Sequence, residues 1–326
     1  MDKVIIGDAV LYHGDCLEIM PLLSDQDINA IYTDPPYYQI KGDFDFDFES
    51  FDQFKTLIDS CAKEWKRLLP KNGSLYVFGH AKIIAYKQII LDKYFNLENS
   101  LVWNAIDRMS KKGVGTFRSY PPVTERCLFY SNEVERTGLE EIKLDINSFK
   151  PLRDYFEGLQ GFIGLGLKSI NSKLGHRKAE HGFYWGSTQW DMPTVEVYEE
   201  IESVFNCRGW QDWQEYEALR QEYEALRRPF NNDLALTDVI DHSQESHISS
   251  QYDHETIKPL GLMEKLIITS TNKSDAVLDC FMGSGTTGIA ALNLGRKFIG
   301  IEKNKKHFDE ACERIRASQS QMRLVI

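Results

Sequence analysis

A carboxylate, two prolines and a phenol stand in a row at Asp34-Pro35-Pro36-Tyr37, directly after the apolar run Ile28 to Tyr32. Two prolines forbid both helix and a central ladder, so a strand must stop there and the chain must turn. Such a turn presents a carboxylate, a proline carbonyl free of ladder partners and an aromatic ring together. The set suits a planar base with an exocyclic amine, whose two N–H bonds go to Asp34 and the Pro35 carbonyl while Tyr37 stacks on the ring. The plain alternative is a strand-ending turn with a chance tetrapeptide.

A second group lies some 250 residues further on. The strand-like run Ala276 to Cys280 enters Phe281-Met282-Gly283-Ser284-Gly285-Thr286-Thr287-Gly288, followed by helical Ile289 to Leu294, a turn at Gly295-Arg296, a strand Lys297 to Ile301, and Glu302 at its end. The glycines let backbone approach a ligand, and Glu302, 19 residues after Gly283, can accept both hydroxyls of a ribose. That is how an α/β sheet holds a nucleoside. A phosphate loop would need a lysine after Gly288, where Ile289 stands. The pattern G-x-G-x-x-G does match at Gly283, Gly285 and Gly288, so this loop alone leaves a nicotinamide-dependent oxidoreductase open.

Both groups need a sheet to hold them. Val10 to His13 reads as a strand ending in Gly14-Asp15, and Phe51 to Leu69 has a helical period closed by Pro70-Lys71-Asn72-Gly73. Ser74 to Phe78 is then another strand, and Thr256 to Thr269 a helix. This βαβ rhythm predicts a parallel α/β sheet covered on both faces. From 131 to 250 the rhythm fails, and that stretch reads as an inserted region dividing the α/β part into 1–130 and 251–326. Within it Gln214 to Arg220 is repeated at once as Gln221 to Arg227. Tyr216, Leu219, Tyr223 and Leu226 form one apolar stripe on a helix that Pro229 should end. An amphipathic helix packed on its own domain is the first reading, and a dimer seam or a DNA-facing helix the second.

Composition sets the outer bounds. The 326 residues are 27% charged and 42% hydrophobic, which excludes wholesale disorder and rods. No run approaches the 18 apolar residues of a membrane span, and the first residues lack the pattern of a signal peptide, so a cytoplasmic location is expected. Six scattered cysteines suggest neither a disulfide framework nor a metal site. A net charge of −11 opposes nucleic acid as a partner, yet residues 101–180 hold 13 Lys plus Arg against 10 Asp plus Glu. Inside that window Leu159 to Lys178 has no acid and carries Lys168, Lys173, His176, Arg177 and Lys178, a candidate track for DNA phosphates. A solvated loop is the bland reading. Asp43, Asp45 and Asp47, alternating with Phe44, Phe46, Phe48 and Phe51, read first as an exposed strand and second as a pocket mouth.

Asp34-Pro35-Pro36-Tyr37 taken with Asp279-Cys280-Phe281-Met282-Gly283-Ser284-Gly285-Thr286 resembles the S-adenosylmethionine-dependent DNA amino-methyltransferases, which act on adenine N6 or cytosine N4. The order of the two motifs, with a long segment between them, is similar to the family's permuted beta class. The resemblance implies a Rossmann-like, mostly parallel sheet with helices on both faces, plus a target-recognition region in the insert. It implies S-adenosyl-L-methionine as cofactor, double-stranded DNA as partner, no metal, and a possible homodimer. Asp34, Pro35, Pro36 and Tyr37 would be catalytic. Cofactor contacts would come from Asp15, Cys16, Asp279, Phe281, Gly283, Ser284, Gly285, Thr286 and Glu302, and from Thr256 and Lys258, whose segment His254 to Pro259 is similar to the family's H-P-T-x-K-P with Glu255 and Ile257 as departures. Asp at the first position of the tetrapeptide leans to adenine N6, since N4 enzymes more often carry Ser there. Restriction–modification is the expected setting. A non-catalytic DNA-binding regulator is the reading from another class.

Overall fold

The computed structural model describes residues 2–38, 48–106, 120, 123–132, 149–187, 189–227, 229–244 and 257–323. In chain order the strands and helices are β1 (Asp2–Ile6), β2 (Ala9–His13), α1 (Cys16–Ile19), β3 (Ala30–Thr33), α2 (Phe51–Leu68), β4 (Ser74–Gly79), α3 (Ile84–Leu91), β5 (Asn96–Ala105) and β6 (Thr124–Ser131). There follow α4 (Lys150–Ile163), α5 (Leu167–Leu174), α6 (Val195–Phe205), α7 (Tyr216–Leu226), β7 (Val239–His242), α8 (Leu260–Ser270), β8 (Ala276–Asp279), α9 (Thr286–Asn293), β9 (Lys297–Glu302) and α10 (Lys305–Arg323). The chain divides into two compact units, Met1–Leu139 with Pro229–Ile326, and Glu140–Arg228.

The first unit is built on one sheet in the order β1-β2-β9-β8-β3-β4-β6-β5-β7. Its centre, from β2 through β9, β8 and β3 to β4, is parallel throughout. Side chains alternate between two apolar layers. Ala30, Tyr32, Tyr76, Phe78 and Val277 join buried residues of α8, α9 and α10, whereas Ile31, Leu75, Val77 and Leu278 join those of α1 and α2. Helices therefore cover both faces, and the central strands read as unbroken apolar runs because neither side meets water. The helix α2 begins at Ser50, whose hydroxyl accepts from Gln53 N at 3.2 Å, and buries Phe54, Ile58, Cys61, Ala62, Trp65 and Leu68 at the predicted period.

The chain order around the sheet positions the site. From β3 it winds through α2 to β4 on one side, while from β8 it winds through α9 to β9 on the other. The parallel neighbours β3 and β8 thus flank the point where winding reverses, where open α/β sheets leave a crevice beyond their carboxyl ends.

Three features differ from expectation. Next to β4 lie the antiparallel β6 and β5, which βαβ rhythm does not announce. Residues 229–242, assigned to the insert by pattern, belong to the first unit, because the four-residue β7 pairs in parallel with β5 at the sheet edge. Four residues are too few to show a period. The helix α9 starts at Thr286, three residues before Ile289, since Gly285 turns the chain directly into it.

The second unit packs α4, α5, α6 and α7 around Leu152, Phe156, Leu159, Ile170, Ile201 and Leu219. In the repeat helix α7, Leu219 is buried and Tyr216 and Tyr223 pack on the same core, while Leu226 is exposed. Three quarters of the stripe is thus consumed within the unit. All six cysteines are buried and unpaired.

Candidate active site

Strands β3 and β8 deliver the two sequence motifs, 245 positions apart from Asp34 to Asp279, to one crevice of about 1120 Å³. Its walls include Asp34, Pro35, Pro36 and Tyr37 from the turn after β3, and Asp279 to Ser284 from the turn after β8. Gly14 to Leu17, Glu302 and Lys258 line it too. Ligand pockets commonly reach a few hundred to about 1000 Å³, so this one has room for two ring systems.

At the first turn, Asp34 and Lys258 form an ion pair through Oδ2, while Asp34 Oδ1 is buried with no hydrogen-bond partner among the described residues. Lys258 Nζ also lies 3.3 Å from Glu125 Oε2 and donates to the Tyr37 hydroxyl at 3.3 Å. Burial alone would lower the lysine's affinity for its proton, but the Asp34 and Glu125 carboxylates outweigh that and push it up. A second lysine, Lys87 of α3, is fully buried and donates to the carbonyls of Pro35 at 2.8 Å and Phe78 at 3.1 Å. Its ammonium is 4.9 Å from the centre of the Tyr37 ring. The Pro35 carbonyl is therefore outside the ladder, as expected, yet already holds one donor and has its second lone pair left. Tyr38 has a φ of +53°, a left-handed conformation unusual for a tyrosine, and its ring packs on Phe48, Phe51 and Phe54. The surrounding rings hold the turn in that shape.

The other wall is acidic. Both oxygens of Glu302 are engaged, one accepting Gly283 N at 2.9 Å and the other Asn304 N at 2.7 Å, which fixes the carboxylate at the tip of β9. Gly283 and Gly285 have φ of +51° and +79°. A Cβ on Gly285 would lie 3.0 Å from the Ala311 side chain, so only glycine fits the turn without strain. Asp15 caps α1, accepting Leu17 N at 2.9 Å, and pairs with Lys303 at 3.1 Å. Asp279 is buried, and desolvation raises its carboxyl to about 7 although Thr287 Oγ1, at 2.7 Å, and Phe281 N pull the other way. A buried acid held that way favours a cationic ligand. Arg314 donates to the Ser284 carbonyl at 2.5 Å and ties the glycine turn to α10.

The DNA methylase family model matches residues 28–313, most of the chain and both turns. The chain belongs to this family. Relatives of known name include the type II methyltransferase M1.MboII of Moraxella bovis, 25% identical over 92% of this chain and 94% of its own length. The DNA adenine methyltransferase YhdJ of Escherichia coli (strain K12) is 25% identical over 94% of this chain and 82% of its own. Among solved structures the M1.HpyAVI–SAM complex superposes with a TM-score of 0.50 at 23% identity, covering 94% of this chain and 98% of that one, a likeness of fold. The dehydrogenase alternative left by the glycine loop falls away.

In this methylase the crevice gathers Asp34, Pro35, Pro36, Tyr37, Asp15, Cys16, Asp279, Phe281, Gly283, Ser284, Thr286 and Glu302. Thr256 lies outside the described residues, as do Phe44 and Phe46; Phe48 lines the crevice. Lys258, expected beside the cofactor, lines the crevice and is bonded to Asp34. Lys168, Lys173, Arg177 and Lys178 are exposed on the second unit, at α5 and the turn after it. Two acids meet that run: Glu180, three residues on, accepts from Arg177 at 2.8 Å, and folding brings Glu200, which the linear sequence hides, to 2.7 Å from His176. Lys173 lies 5.8 Å from the Phe205 ring. Glu125 and Lys87 were not foreseen, because neither belongs to a motif: Lys87 stands in a largely apolar segment and Glu125 lies between Thr124 and Arg126.

Proposed function

We propose that this methylase transfers a methyl group from S-adenosyl-L-methionine to the exocyclic amine of a base extruded from double-stranded DNA, with adenine N6 as the target. The observation that carries the reading is that Asp34, whose buried Oδ1 has no hydrogen-bond partner among the described residues, lines the same crevice as the acid-lined glycine turn. Four acids, Asp15, Asp34, Asp279 and Glu302, line the crevice, and the glycine turn offers no lysine to a phosphate. That donor set fits a nucleoside with a cationic tail. Glu302 and Asp15 would hold hydroxyl and amine groups of the nucleoside, and Asp279 the ammonium. When bound, the cofactor supplies a methyl group on a sulfonium, which leaves its bonding pair on sulfur as the amine nitrogen attacks.

The chain's own residues make that nitrogen a nucleophile. An aromatic amine shares its lone pair with the ring, and holding both N–H bonds out of plane frees it. Asp34 Oδ1 accepts one, and the open lone pair of the Pro35 carbonyl accepts the other. The proton shed after attack leaves along Asp34 Oδ1. Tyr37 is 4% exposed, so the base would meet the part of its ring that lines the crevice. Extrusion costs a few kcal/mol, which those contacts offset.

The second unit would read the target sequence, with the Lys168 to Lys178 run on phosphates. The name of the Moraxella relative, a type II methyltransferase, supports modification in a restriction–modification system, and a cytoplasmic location goes with that reading. Cytosine N4, which presents a similar amine, is the second reading. Expression in a methylation-free host followed by modified-base sequencing decides: N6-methyladenine at one short motif is expected, N4-methylcytosine selects the second reading, and unmodified DNA refutes both.

A further inference from the structure

The described residues place one ammonium between two carboxylates at the reacting edge of the crevice. Lys258 takes Asp34 Oδ2, sits 3.3 Å from Glu125 Oε2, and donates to Tyr37 Oη. Its ammonium also lies 5.0 Å from the Phe78 ring centre. The side chain is 10% exposed, that of Glu125 5% and that of Asp34 22%. Buried charges are costly unless compensated, so a triad of this kind needs a reason.

The two oxygens of Asp34 are not equivalent. Oδ2 is pinned, whereas Oδ1 is buried and accepts from no described group. A carboxylate with one oxygen tethered cannot rotate to offer the other edge, and a cation at its back offsets its charge. Glu125, arriving on the antiparallel β6 from the far side, holds the lysine in turn. Both carboxylates keep the ammonium charged.

Resting on the proposed amine chemistry, we infer that Lys258 is a positioning residue for Asp34, with Glu125 as its anchor, and not a ligand of the cofactor. The pair fixes which oxygen of Asp34 meets the amine. Removing the ammonium should slow methyl transfer while sparing cofactor affinity, and a small amine that can occupy the vacated place should restore the rate.

Single-turnover transfer to DNA, and S-adenosylmethionine affinity by calorimetry, would be measured for wild type, Lys258→Met, Lys258→Ala and the charge-balanced Lys258→Met/Glu125→Gln. The double variant carries one buried carboxylate, so it remains informative if Lys258→Met fails to fold. Expected are a loss of about a hundredfold or more in rate for the methionine variants, a cofactor Kd within threefold of wild type, and at least tenfold rescue of Lys258→Ala by ethylamine. A double variant as fast as wild type would overturn the inference. So would a tenfold rise in cofactor Kd with the bound-state rate unchanged, since that marks a cofactor ligand. A wild-type enzyme that binds the cofactor and methylates no DNA would strike the functional reading itself, which separates the two failures.

Discussion

Asp34 has one oxygen committed to Lys258 and one in waiting, and that asymmetry governs what substitution should do. Asp34→Ala should lower transfer by about a thousandfold or more, because an acceptor aimed at developing charge is lost. Cofactor affinity, read by calorimetry, should stay within a few-fold, and Glu125 keeps Lys258 partnered in the variant. Near-normal turnover would remove Asp34 from the mechanism. Asp279 predicts a pH dependence. Its carboxyl moves from an ordinary 3.8 to about 7 on burial, so between those values the folded protein keeps a proton the unfolded chain has lost. Stability from this group is therefore greatest at low pH and falls as pH rises toward about 7, by roughly a few kcal/mol at most. Denaturant titrations from pH 5 to 8 should show that slope reduced in Asp279→Asn, and an unchanged slope would assign it elsewhere. The residues of the two turns were legible in sequence because each motif is dense: four or more chemically special residues in a row. Lys258 was visible as a site residue, but its pairing with Asp34 was not, since a linear motif names neighbours in sequence and not the carboxylate 224 positions away. Glu125 and Lys87 gave no signal, their roles arising only from burial.

At the scale of elements, the glycine turn and α7 are the parts most open to test. Gly285→Ala would hold an alanine at φ +79° with its Cβ 3.0 Å from Ala311. The expected cost is roughly 1–2 kcal/mol, together with weakened cofactor binding, measurable by denaturation and calorimetry on one sample. Leu219→Ala should destabilise the second unit by roughly 2–5 kcal/mol, because Leu219 is wholly buried at its core. A loss under about 0.5 kcal/mol would mean that α7 is not packed as described. The central strands and α2 were readable in sequence because a sheet buried on both faces and a helix buried on one face impose different periods. The antiparallel β5 and β6 were not, since β5 carries Asn96, Glu98, Asn99 and Ser100 and is only half-buried over that stretch. The same holds for β7, four residues at an edge.

Across the whole molecule, a net charge of −11 and a DNA substrate pull in opposite directions, so phosphate binding must be local. The basic run on the second unit was legible as composition, but its partner Glu200 was not, because α6 supplies it by folding; Glu180 stands just beyond the run, three residues after Arg177. Lys173→Ala/Arg177→Ala should weaken DNA binding and flatten its salt dependence by roughly one unit of slope for each phosphate that is no longer neutralised. An unchanged slope would assign the run to ordinary surface. The central claim is that two distant turns cooperate on one amine. Its most direct measurement is mass spectrometry of nucleosides from DNA treated with the purified enzyme and cofactor carrying a deuterated methyl group. Deuteromethyl N6-methyldeoxyadenosine from wild type, and none from Asp34→Ala, is the predicted result; label appearing equally with both proteins, or with neither, would contradict it.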